Sequence, residues 1–261
     1  MLGVAGFPVA HSRSPAMHNA ALAELGLDWL YVPVPVPPER FEETVRALPG
    51  SGFRGLNVTV PHKLAAHRLA DVHTPDAAAI GAVNTLTFAE DAIEGHNTDA
   101  AGFLDALATP VSGQKALVLG AGGSARDVVW ALREAGAADV AVWNRTPERA
   151  AALAGEFGIR HVDRAGRADL LVNCTSVGLD PATTETQALE ALGLTGYEAP
   201  PTLVDLVYGD RPTPLAGWAS RADARVIEGL EVLVRQGARS LEGWTGQTPP
   251  LDTMRGAAKA R

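Results

Sequence analysis

A glycine-rich turn between an apolar strand and a helix constrains this chain more than any other feature of its sequence. The run Ala116–Leu119 is short and continuously apolar, which is typical of a strand buried on both faces of a parallel sheet. It ends at Gly120-Ala-Gly-Gly-Ser-Ala125, and apolar residues then recur at helical spacing from Val128 up to Gly136. A strand, a glycine turn and a helix in this order predict a dinucleotide-binding unit.

Each small residue of the turn suits a task in dinucleotide binding. Gly120 permits a tight turn, Gly122 lets the backbone approach a pyrophosphate, and Ala125 allows the helix to pack closely on the strand. The free N–H groups at the start of the helix would face the phosphates. The alternative is a loop that only connects the strand to the helix. The predicted phosphate-binding residues are Gly120, Ala121, Gly122, Gly123, Ser124 and Ala125.

The end of the next predicted strand indicates which dinucleotide binds. NAD enzymes usually carry Asp or Glu about 20 residues past the glycines, where it binds the ribose 2′-hydroxyl. This chain has Asn144-Arg-Thr-Pro-Glu-Arg149 after the strand, with no carboxylate at the strand tip to repel a 2′-phosphate. Arg145 and Arg149 can attract that phosphate, and Thr146 can donate a hydrogen bond to it. We predict NADP over NAD; a solvated turn in which Thr146 caps the following helix is the compatible alternative.

Composition and charge exclude several classes of protein. The chain has 261 residues, of which 46% are hydrophobic and 20% charged, enough for one large domain or two ordinary ones. Its formal net charge of −8 argues against nucleic acid or an anionic membrane as a partner. We therefore expect a small-molecule substrate, and an acidic substrate would have to be held by local donors.

Cysteine and histidine usage bear on compartment and metal content. The single cysteine, Cys174, cannot form an intrachain disulfide, which favours a reducing compartment. The apolar N-terminal stretch is short and broken by glycine and proline, so we predict neither signal peptide nor membrane span and expect a soluble cytoplasmic protein. His62 and His67 are five residues apart rather than the four that share a helix face, and we expect no metal.

The first predicted domain alternates strands with helices, which is typical of a small α/β layer structure. Ser14 and Pro15 predict the start of its first helix, with Ser14 as N-cap and Pro15 at the first helical position. The run over 29–36 is rich in valine and proline, which favours an edge strand. The other predicted elements are strands over 2–7 and 55–60, helices over 39–48, after 61 and one opened by 97–99 and running toward 107, and a hairpin across 90–91.

The second predicted domain, 109–228, begins with a linker over 110–113 and has the pattern of a Rossmann-like fold. Because its strands and helices alternate, we predict a parallel, doubly wound sheet with right-handed crossovers. The amphipathic stretch Gly229–Trp244 is predicted to return to the first domain, so 1–108 and 229–261 together form a substrate-binding catalytic domain. The predicted strands lie near 116–119, 139–143, 170–173, 203–206 and 225–227.

Polar residues of the first domain cluster at predicted loops and strand ends. A nicotinamide enzyme needs a group that moves a proton while the cofactor moves a hydride. Lys63 and Asp99 can form such a pair, because desolvation can lower the pKa of a lysine and a carboxylate beside it fixes its position. The hydroxyls and amides suit a polyhydroxylated small acid. The clustered residues are Ser12, Ser14, Asn57, Thr59, Lys63, Asn84, Asn97, Thr98 and Asp99.

Each of these residues also has a purely structural interpretation. Ser14 can cap its helix, and Thr98 or Asp99 can cap the next one. Lys63 stands early in a helix, where most lysines are solvated. The asparagines at the strand ends can satisfy turn backbone.

Six motifs spread over nearly the whole chain match one known family. They are Gly6-x-Pro-x-x-His-Ser-x-Ser-Pro-x-x-His-Asn19, Asn57-Val-Thr-x-Pro-x-Lys63, Gly81-Ala-Val-Asn-Thr85, Asn97-Thr-Asp99, Gly120-Ala-Gly-Gly-Ser-Ala-Arg126 and Asn144-Arg-Thr146. Together they resemble the motifs of the shikimate dehydrogenases, in the shikimate/quinate dehydrogenase family.

The resemblance implies reversible reduction of 3-dehydroshikimate to shikimate by NADPH, on the route to chorismate and aromatic amino acids. It implies that Lys63 and Asp99 are the catalytic pair, and that Ser12 and Ser14 hold the substrate carboxylate through neutral donors. The implied substrate-binding residues are Ser12, Ser14, Asn57, Thr59, Lys63, Asn84, Asp99, Tyr208 and Gln236. The implied cofactor-binding residues beyond the glycine turn are Asn144, Arg145, Thr146, Arg149, Thr175, Ser176, Val207 and Gly229.

Departures from the family pattern concern packing near the nicotinamide. Ala100 stands where the family often has glycine, and Leu179 where methionine is common. Serine at both 12 and 14 favours shikimate over quinate, since quinate-preferring relatives often carry threonine at one of them. The alternatives are a quinate or amino-shikimate dehydrogenase and a non-catalytic NADP-binding sensor, which the intact Lys63 and Asp99 argue against. A monomer and a homodimer are both compatible with the sequence.

Overall fold

The computed structural model describes residues 1–260. The chain forms two compact units. One unit consists of Met1–Gly102 and Leu233–Arg261, and the other of Phe103–Val232. Both boundaries fall inside helices, whereas the sequence places the domain divisions at 108/109 and 228/229, at the ends of these helices. The sequence pattern indicates where a helix ends. It does not indicate which residue within a continuous helix marks the boundary between two units. Arg261, part of the predicted segment 229–261, lies outside the described residues.

Strands and helices alternate along most of the chain, as predicted. The elements up to the first boundary are β1 (Leu2–Gly6), α1 (Ser14–Glu24), β2 (Tyr31–Pro35), α2 (Phe41–Ala47), β3 (Gly55–Val58), α3 (Lys63–Leu69), β4 (Val72–His73), α4 (Pro75–Ile80), β5 (Thr85–Phe88), β6 (Ile93–His96) and α5 (Asp99–Leu107). Those that follow are β7 (Lys115–Leu119), α6 (Gly123–Glu134), β8 (Asp139–Trp143), α7 (Pro147–Phe157), β9 (Arg160–His161), β10 (Leu170–Asn173), α8 (Glu185–Ala191), β11 (Thr202–Asp205), α9 (Pro214–Arg221), β12 (Arg225–Glu228), α10 (Gly229–Thr245) and α11 (Leu251–Lys259).

The first unit contains a mixed sheet in the order β2-β1-β3-β5-β6-β4. The β1 strand is buried along its whole length and pairs in parallel with both β2 and β3. The proline-rich β2 lies at the edge, as predicted, because Pro33 and Pro35 lack the N–H that a central strand needs. The predicted hairpin is confirmed as β5 and β6, which pair antiparallel. Since β1 and β3 run parallel, their carboxyl ends reach the same edge of the sheet.

The start of α1 differs from the prediction. Ser14 is the first helical residue rather than the N-cap, which is Arg13 and makes no side-chain capping hydrogen bond. Proline is tolerated throughout the first turn of a helix, so Pro15 does not decide which residue precedes that turn. The backbone N–H of Ser14 donates instead to the hydroxyl of Ser12 at 3.2 Å.

The second unit is built on a wholly parallel sheet in the order β12-β11-β10-β7-β8-β9, which confirms the predicted doubly wound architecture. The chain moves outward from β7 through β8 to β9, then returns to β10 on the other side of β7. Ligands of such sheets bind at the carboxyl ends of the strands, where the direction of winding reverses. The glycine turn after β7 and the residues after β10 lie at this point.

The C-terminal helices return to the first unit, as predicted. From Leu233 onward α10 and α11 belong to that unit. Arg13, at the start of α1, donates from Nη1 to the backbone carbonyl of Ala258 in α11 at 2.7 Å. Among residues 1–260, no helix is long and apolar enough to span a membrane.

His18 joins α1 to α10 inside this unit. Its ring is fully buried and stacks on Tyr31, with 4.1 Å between the ring centroids. Nδ1 lies 2.8 Å from the carbonyl oxygen of Ser14, and Nε2 lies 3.2 Å from that of Gly237. Burial lowers the pKa of His18 to about 4, so the ring is neutral at pH 7 and donates from only one of its nitrogens.

The buried His18 makes stability depend on pH in a defined window. Between pH 6.5 and about 4 the unfolded chain binds a proton at this ring that the folded chain does not, so stability is present above pH 6.5 and lost as pH falls. His18→Gln should remove up to roughly 3 kcal/mol of this dependence, at about 1.4 kcal/mol per pKa unit. Urea unfolding at pH 7 and pH 4.5 measures it. The exposed His11→Gln is the control, and identical pH slopes for His18→Gln and wild type would contradict the assignment.

Candidate active site

Lys63 and Asp99 meet at the edge of the first unit's sheet. Lys63 begins α3 and Asp99 begins α5, and the Lys63 Nζ lies 2.6 Å from the Asp99 Oδ2. The side chains are only 10% and 22% exposed, respectively. The structural interpretation of Lys63 as a solvated surface lysine is therefore wrong. A shielded ammonium beside a carboxylate can hold and transfer a proton.

The carboxylate of Asp99 is directed to the lysine because another residue caps α5. The side-chain Oδ1 of Asn97 accepts the backbone N–H of Ala100 at 3.2 Å. Thr98 donates its own N–H to the Oδ1 of Asn84 at 2.8 Å. The alternative in which Thr98 or Asp99 supplies the cap is therefore not what the structure shows. Capping by Asn97 releases the Asp99 side chain for the ion pair.

Asn57 is held within a buried hydrogen-bond network. Its Oδ1 accepts the hydroxyl of Tyr31 at 2.7 Å. Its Nδ2 donates to the hydroxyl oxygens of Thr85 at 3.0 Å and Ser240 at 2.9 Å. Both hydrogens of the amide group are used inside the protein, so further contacts fall to its carbonyl oxygen.

Asn84 and Gln236 are brought together although they lie far apart in the sequence. The Nδ2 of Asn84 lies 3.3 Å from the Oε1 of Gln236 and 2.9 Å from the hydroxyl oxygen of Thr98. Close approach of α5 to α10 permits this, since a Cβ at Gly102 would lie 2.6 Å from the backbone nitrogen of Gln236. The two amides thus lie together in one polar cluster at the starts of β5 and α5.

The two predicted carboxylate-binding serines follow β1. Both are buried, at 7% exposure for Ser12 and 5% for Ser14. The half-buried Thr59 follows β3, the parallel neighbour of β1. Because β1 and β3 are parallel, the segments that carry these three hydroxyls and Lys63 all leave the sheet at its same edge.

Sequence reasoning missed three residues of this network: Tyr31, Thr85 and Ser240. A usable signal existed for two of them. Ser240 stands four residues after Gln236 in α10 and so shares its helix face. Thr85 closes the Gly81-Ala-Val-Asn-Thr85 motif. Nothing in the sequence points from Tyr31 to Asn57, because that contact depends on the placement of the edge strand.

The glycine turn of the second unit has room for phosphates. Gly120 has a φ of +108°, and a Cβ there would lie 3.2 Å from the backbone carbonyl of Cys174, so the position requires glycine. A Cβ at Gly122 would meet nothing within 4 Å, which leaves open space beside the start of α6. The first turn of α6 carries no acidic residue, and Ala125 is fully buried against the sheet. These features fit the pyrophosphate of a dinucleotide.

The turn after β8 presents its arginines to solvent. Arg145, Thr146 and Arg149 are all exposed, and Asn144 Nδ2 donates to the carbonyl of Thr146 at 2.9 Å. Thr146 occupies the N-cap position of α7, but its side chain makes no capping hydrogen bond. The alternative in which its hydroxyl caps the helix is therefore wrong.

Arg126, in the first turns of α6, forms an ion pair within the protein. Its guanidinium donates to the carboxylate of Glu156 in α7 and lies 5.1 Å from the ring centroid of Phe157. The exposed cations after β8 are therefore better placed for an anionic ligand than Arg126.

The remaining predicted cofactor residues follow β10, β11 and β12. The hydroxyl of Thr175 donates to Asn173 Oδ1 at 2.7 Å, and Ser176 next to it is exposed. Val207 is buried, and Gly229 packs on Leu206, where a Cβ would lie 2.3 Å from the carbonyl oxygen. Tyr208 also belongs to this second unit, whereas the other predicted substrate-binding residues belong to the first.

No group of three or more His, Cys, Asp or Glu side chains within residues 1–260 is arranged to hold a metal ion.

The fold of the chain and the polar groups at the ends of its strands define an α/β protein of the class to which dinucleotide-dependent dehydrogenases belong.

Sequence comparison identifies the family within this class. Residues 4–86 match the shikimate dehydrogenase substrate binding domain, residues 105–177 match shikimate / quinate 5-dehydrogenase, and residues 229–259 match the shikimate 5′-dehydrogenase C-terminal domain. The chain belongs to the shikimate dehydrogenase family.

Relatives with assigned names cover nearly the whole chain. A shikimate dehydrogenase (NADP(+)) of Thermus thermophilus is 46% identical over 98% of this chain and 96% of its own length. One from Methanothermobacter thermautotrophicus is 42% identical over 98% of this chain and 95% of its own. The crystal structure of shikimate 5-dehydrogenase from another strain of Thermus thermophilus, in complex with NADP(H) and shikimate, matches with a TM-score of 0.88. It is 44% identical and covers 99% of this chain and 98% of that one.

The Lys63–Asp99 pair can be tested by removing its cation. Lys63→Ala should lower kcat by about 100-fold or more, the usual contribution of a positioned acid–base group, with a smaller change in KM. Steady-state rates with shikimate and NADP measure both. The exposed Lys259→Ala, which removes a lysine from the end of α11, is the control. A kcat near that of wild type for Lys63→Ala would refute the pair's role.

The exposed arginines after β8 can be tested together. The double variant Arg145→Ala/Arg149→Ala should raise KM for NADP about tenfold, because each arginine can make a charge-assisted hydrogen bond to the 2′-phosphate. The KM for NAD should change far less. Arg167→Ala, an exposed arginine of the same unit, controls for loss of charge alone. Equal increases for the two cofactors would overturn the assignment.

Proposed function

We propose that this protein is an NADP-dependent shikimate dehydrogenase. One observation carries the proposal most directly: a shielded lysine and a carboxylate, 2.6 Å apart, stand among hydroxyls and amides at the carboxyl edge of a sheet. Family membership and relatives named for this activity over nearly their whole length support it. A non-catalytic NADP-binding sensor would have no need to keep two charges away from water in this way.

The proposed reaction reduces 3-dehydroshikimate to shikimate and is reversible. When bound, NADPH supplies the hydride that reaches the carbonyl carbon. Lys63 delivers a proton to the carbonyl oxygen, which becomes the 3-hydroxyl group. Asp99 holds the ammonium group in place and accepts a hydrogen bond from the substrate. In the oxidative direction Lys63 takes the proton back from that hydroxyl.

Neutral groups would bind the rest of the substrate. The hydroxyls of Ser12 and Ser14 donate to the carboxylate, which lets a chain with net charge −8 hold an anion without an added cation. Thr59, Asn84 and Gln236 hydrogen-bond the ring hydroxyls, and Tyr208 is a further proposed substrate-binding residue. Asn57 can take part only as an acceptor, because its amide group donates into the protein.

NADP fits the second unit. The open space beside Gly122 and the first N–H groups of α6 would receive the pyrophosphate. Arg145, Thr146 and Arg149 would receive the 2′-phosphate, with Asn144 shaping their turn. The remaining proposed contacts, around the nicotinamide half, come from Thr175, Ser176, Val207 and Gly229.

We further propose that the protein acts on small molecules in the cytoplasm, as a monomer or a homodimer. Its acidic charge gives nucleic acids and anionic membranes no electrostatic attraction. A single cysteine is what a protein of a reducing compartment can carry.

The decisive assay follows nicotinamide absorbance with purified protein in four combinations, offering shikimate or quinate with NADP or NAD. We expect rapid turnover with shikimate and NADP and much slower turnover with the other three pairs. Efficient turnover of quinate would overturn the role given to Ser12 and Ser14. Binding of NADP without turnover of any pair would refute the dehydrogenase and favour the sensor.

A further inference from the structure

A buried carboxylate ends the strand next to the proposed cofactor site. Asp205 is the last residue of β11 and is 1% exposed. Its Oδ1 accepts two hydrogen bonds, from Asn173 Nδ2 at 2.9 Å and from the backbone N–H of Val207 at 3.1 Å. Its Oδ2 accepts the hydroxyl of Thr213. One side chain thus ties together three segments at the carboxyl edge of the parallel sheet.

Asn173 extends this connection into the loop after β10. It is fully buried and stands beside Asp205 in the parallel register of β10 and β11. With its Nδ2 engaged by Asp205, its Oδ1 accepts both the N–H of Thr175 at 3.0 Å and the Thr175 hydroxyl at 2.7 Å. The Thr175 hydroxyl oxygen in turn accepts the N–H of Val177 at 3.1 Å. The conformation of this loop therefore depends on which way the Asn173 amide faces.

Thr213 makes the corresponding connection on the other side. It is the N-cap of α9, and its hydroxyl oxygen accepts the backbone N–H of Ala216 at 3.1 Å while its hydrogen goes to Asp205. The chain between Val207 and Thr213 is thereby fixed to the carboxylate at both ends.

We propose that Asp205 is a positioning residue for the cofactor, which orients the Thr175 loop and the Val207 backbone through hydrogen bonds rather than through its charge. The inference rests on the proposed function, since Thr175, Ser176 and Val207 are cofactor residues only if NADP binds there. Asp205 itself need not touch the cofactor.

Because Asp205 is buried, we expect it to act through the hydrogen bonds that it accepts rather than through a negative charge. The carboxylate's partners within residues 1–260 are an amide, a backbone N–H and a hydroxyl, none of which is a cation. Burial raises the pKa of Asp205 above its usual range, so the ionised form is costly here. An asparagine can keep its carbonyl oxygen toward Asn173 and Val207 and turn its amide group toward the Thr213 oxygen. Asp205→Asn should therefore preserve the arrangement.

The chain offers a matched pair of threonines for the test. Thr184 and Thr213 are both N-caps in the second unit, of α8 and α9 respectively, and both accept a backbone N–H through the hydroxyl. Only Thr213 also donates to Asp205. Replacing either with valine removes a helix cap. Thr213→Val also leaves the buried Asp205 carboxylate without its hydroxyl donor, so a larger loss of thermal stability is expected for it than for Thr184→Val.

The experiment measures the Kd for NADP by titration and steady-state KM and kcat with shikimate, for each variant of the full chain. Thr213→Val should raise Kd and KM for NADP about five- to tenfold, the effect of losing one buried hydrogen bond, with KM for shikimate little changed. Thr184→Val should leave both near wild type, and Thr213→Ser should restore them. Equal effects of Thr213→Val and Thr184→Val on NADP binding would overturn the proposal.

Two replacements of the carboxylate separate hydrogen bonding from charge. Asp205→Asn should bind NADP within about twofold of wild type, and Asp205→Ala about tenfold more weakly or worse. An Asp205→Asn as impaired as Asp205→Ala would overturn the role given to hydrogen bonds. If Asp205→Ala does not fold, the threonine comparison still decides. Wild type that binds NADP but does not turn over shikimate would refute the proposed function alone, because the Kd values still test Asp205.

Discussion

The ion pair between Lys63 and Asp99 is the interaction on which the first unit's site depends. Removing either charge from water costs several kcal/mol, and the cost is offset only if the partner is held in good geometry. The pair is assembled from the starts of two different helices, α3 and α5, which the sheet brings to one edge. A shielded pair of this kind can keep a proton ready for transfer, whereas a surface pair would exchange it with solvent.

Neutral groups complete the edge around these charges. Asn97 caps α5 and so leaves Asp99 available, and Asn84 binds the backbone of Thr98 at the same turn. Asn57 connects β3 to α10 through a hydrogen bond to Ser240, and both residues are buried. Because buried polar groups are normally paired, these hydrogen bonds favour the observed orientation of each amide without adding further charge to the edge.

Local patterns made much of this predictable, and long-range contacts account for what was missed. The glycine turn, the buried strand before it and the helix after it are contiguous, so the parallel sheet followed from the sequence. The two-residue strands β4 and β9 and the short α4 were not predicted, because so few residues carry no periodicity. The Asn57–Ser240 contact spans 183 residues and could not be inferred from spacing. The shift of Ser14 from N-cap to first helical residue reflects the tolerance of a whole first turn for proline.

The two units use carboxylates in opposite ways. Asp99 faces a cation, and its ionised form is what the lysine requires. Asp205 is bonded by neutral donors, and burial works against its ionised form. A carboxylate at the end of a strand is therefore not by itself evidence of proton chemistry; the partners of its two oxygens decide its role. In the second unit the partners of Asp205 belong to the segments that carry the proposed cofactor residues. The conformation of those segments therefore depends on where the two carboxylate oxygens of Asp205 accept hydrogen bonds. The same dependence explains why an isosteric amide should be tolerated at 205, while at 99 it would leave the Lys63 ammonium without its counter-charge.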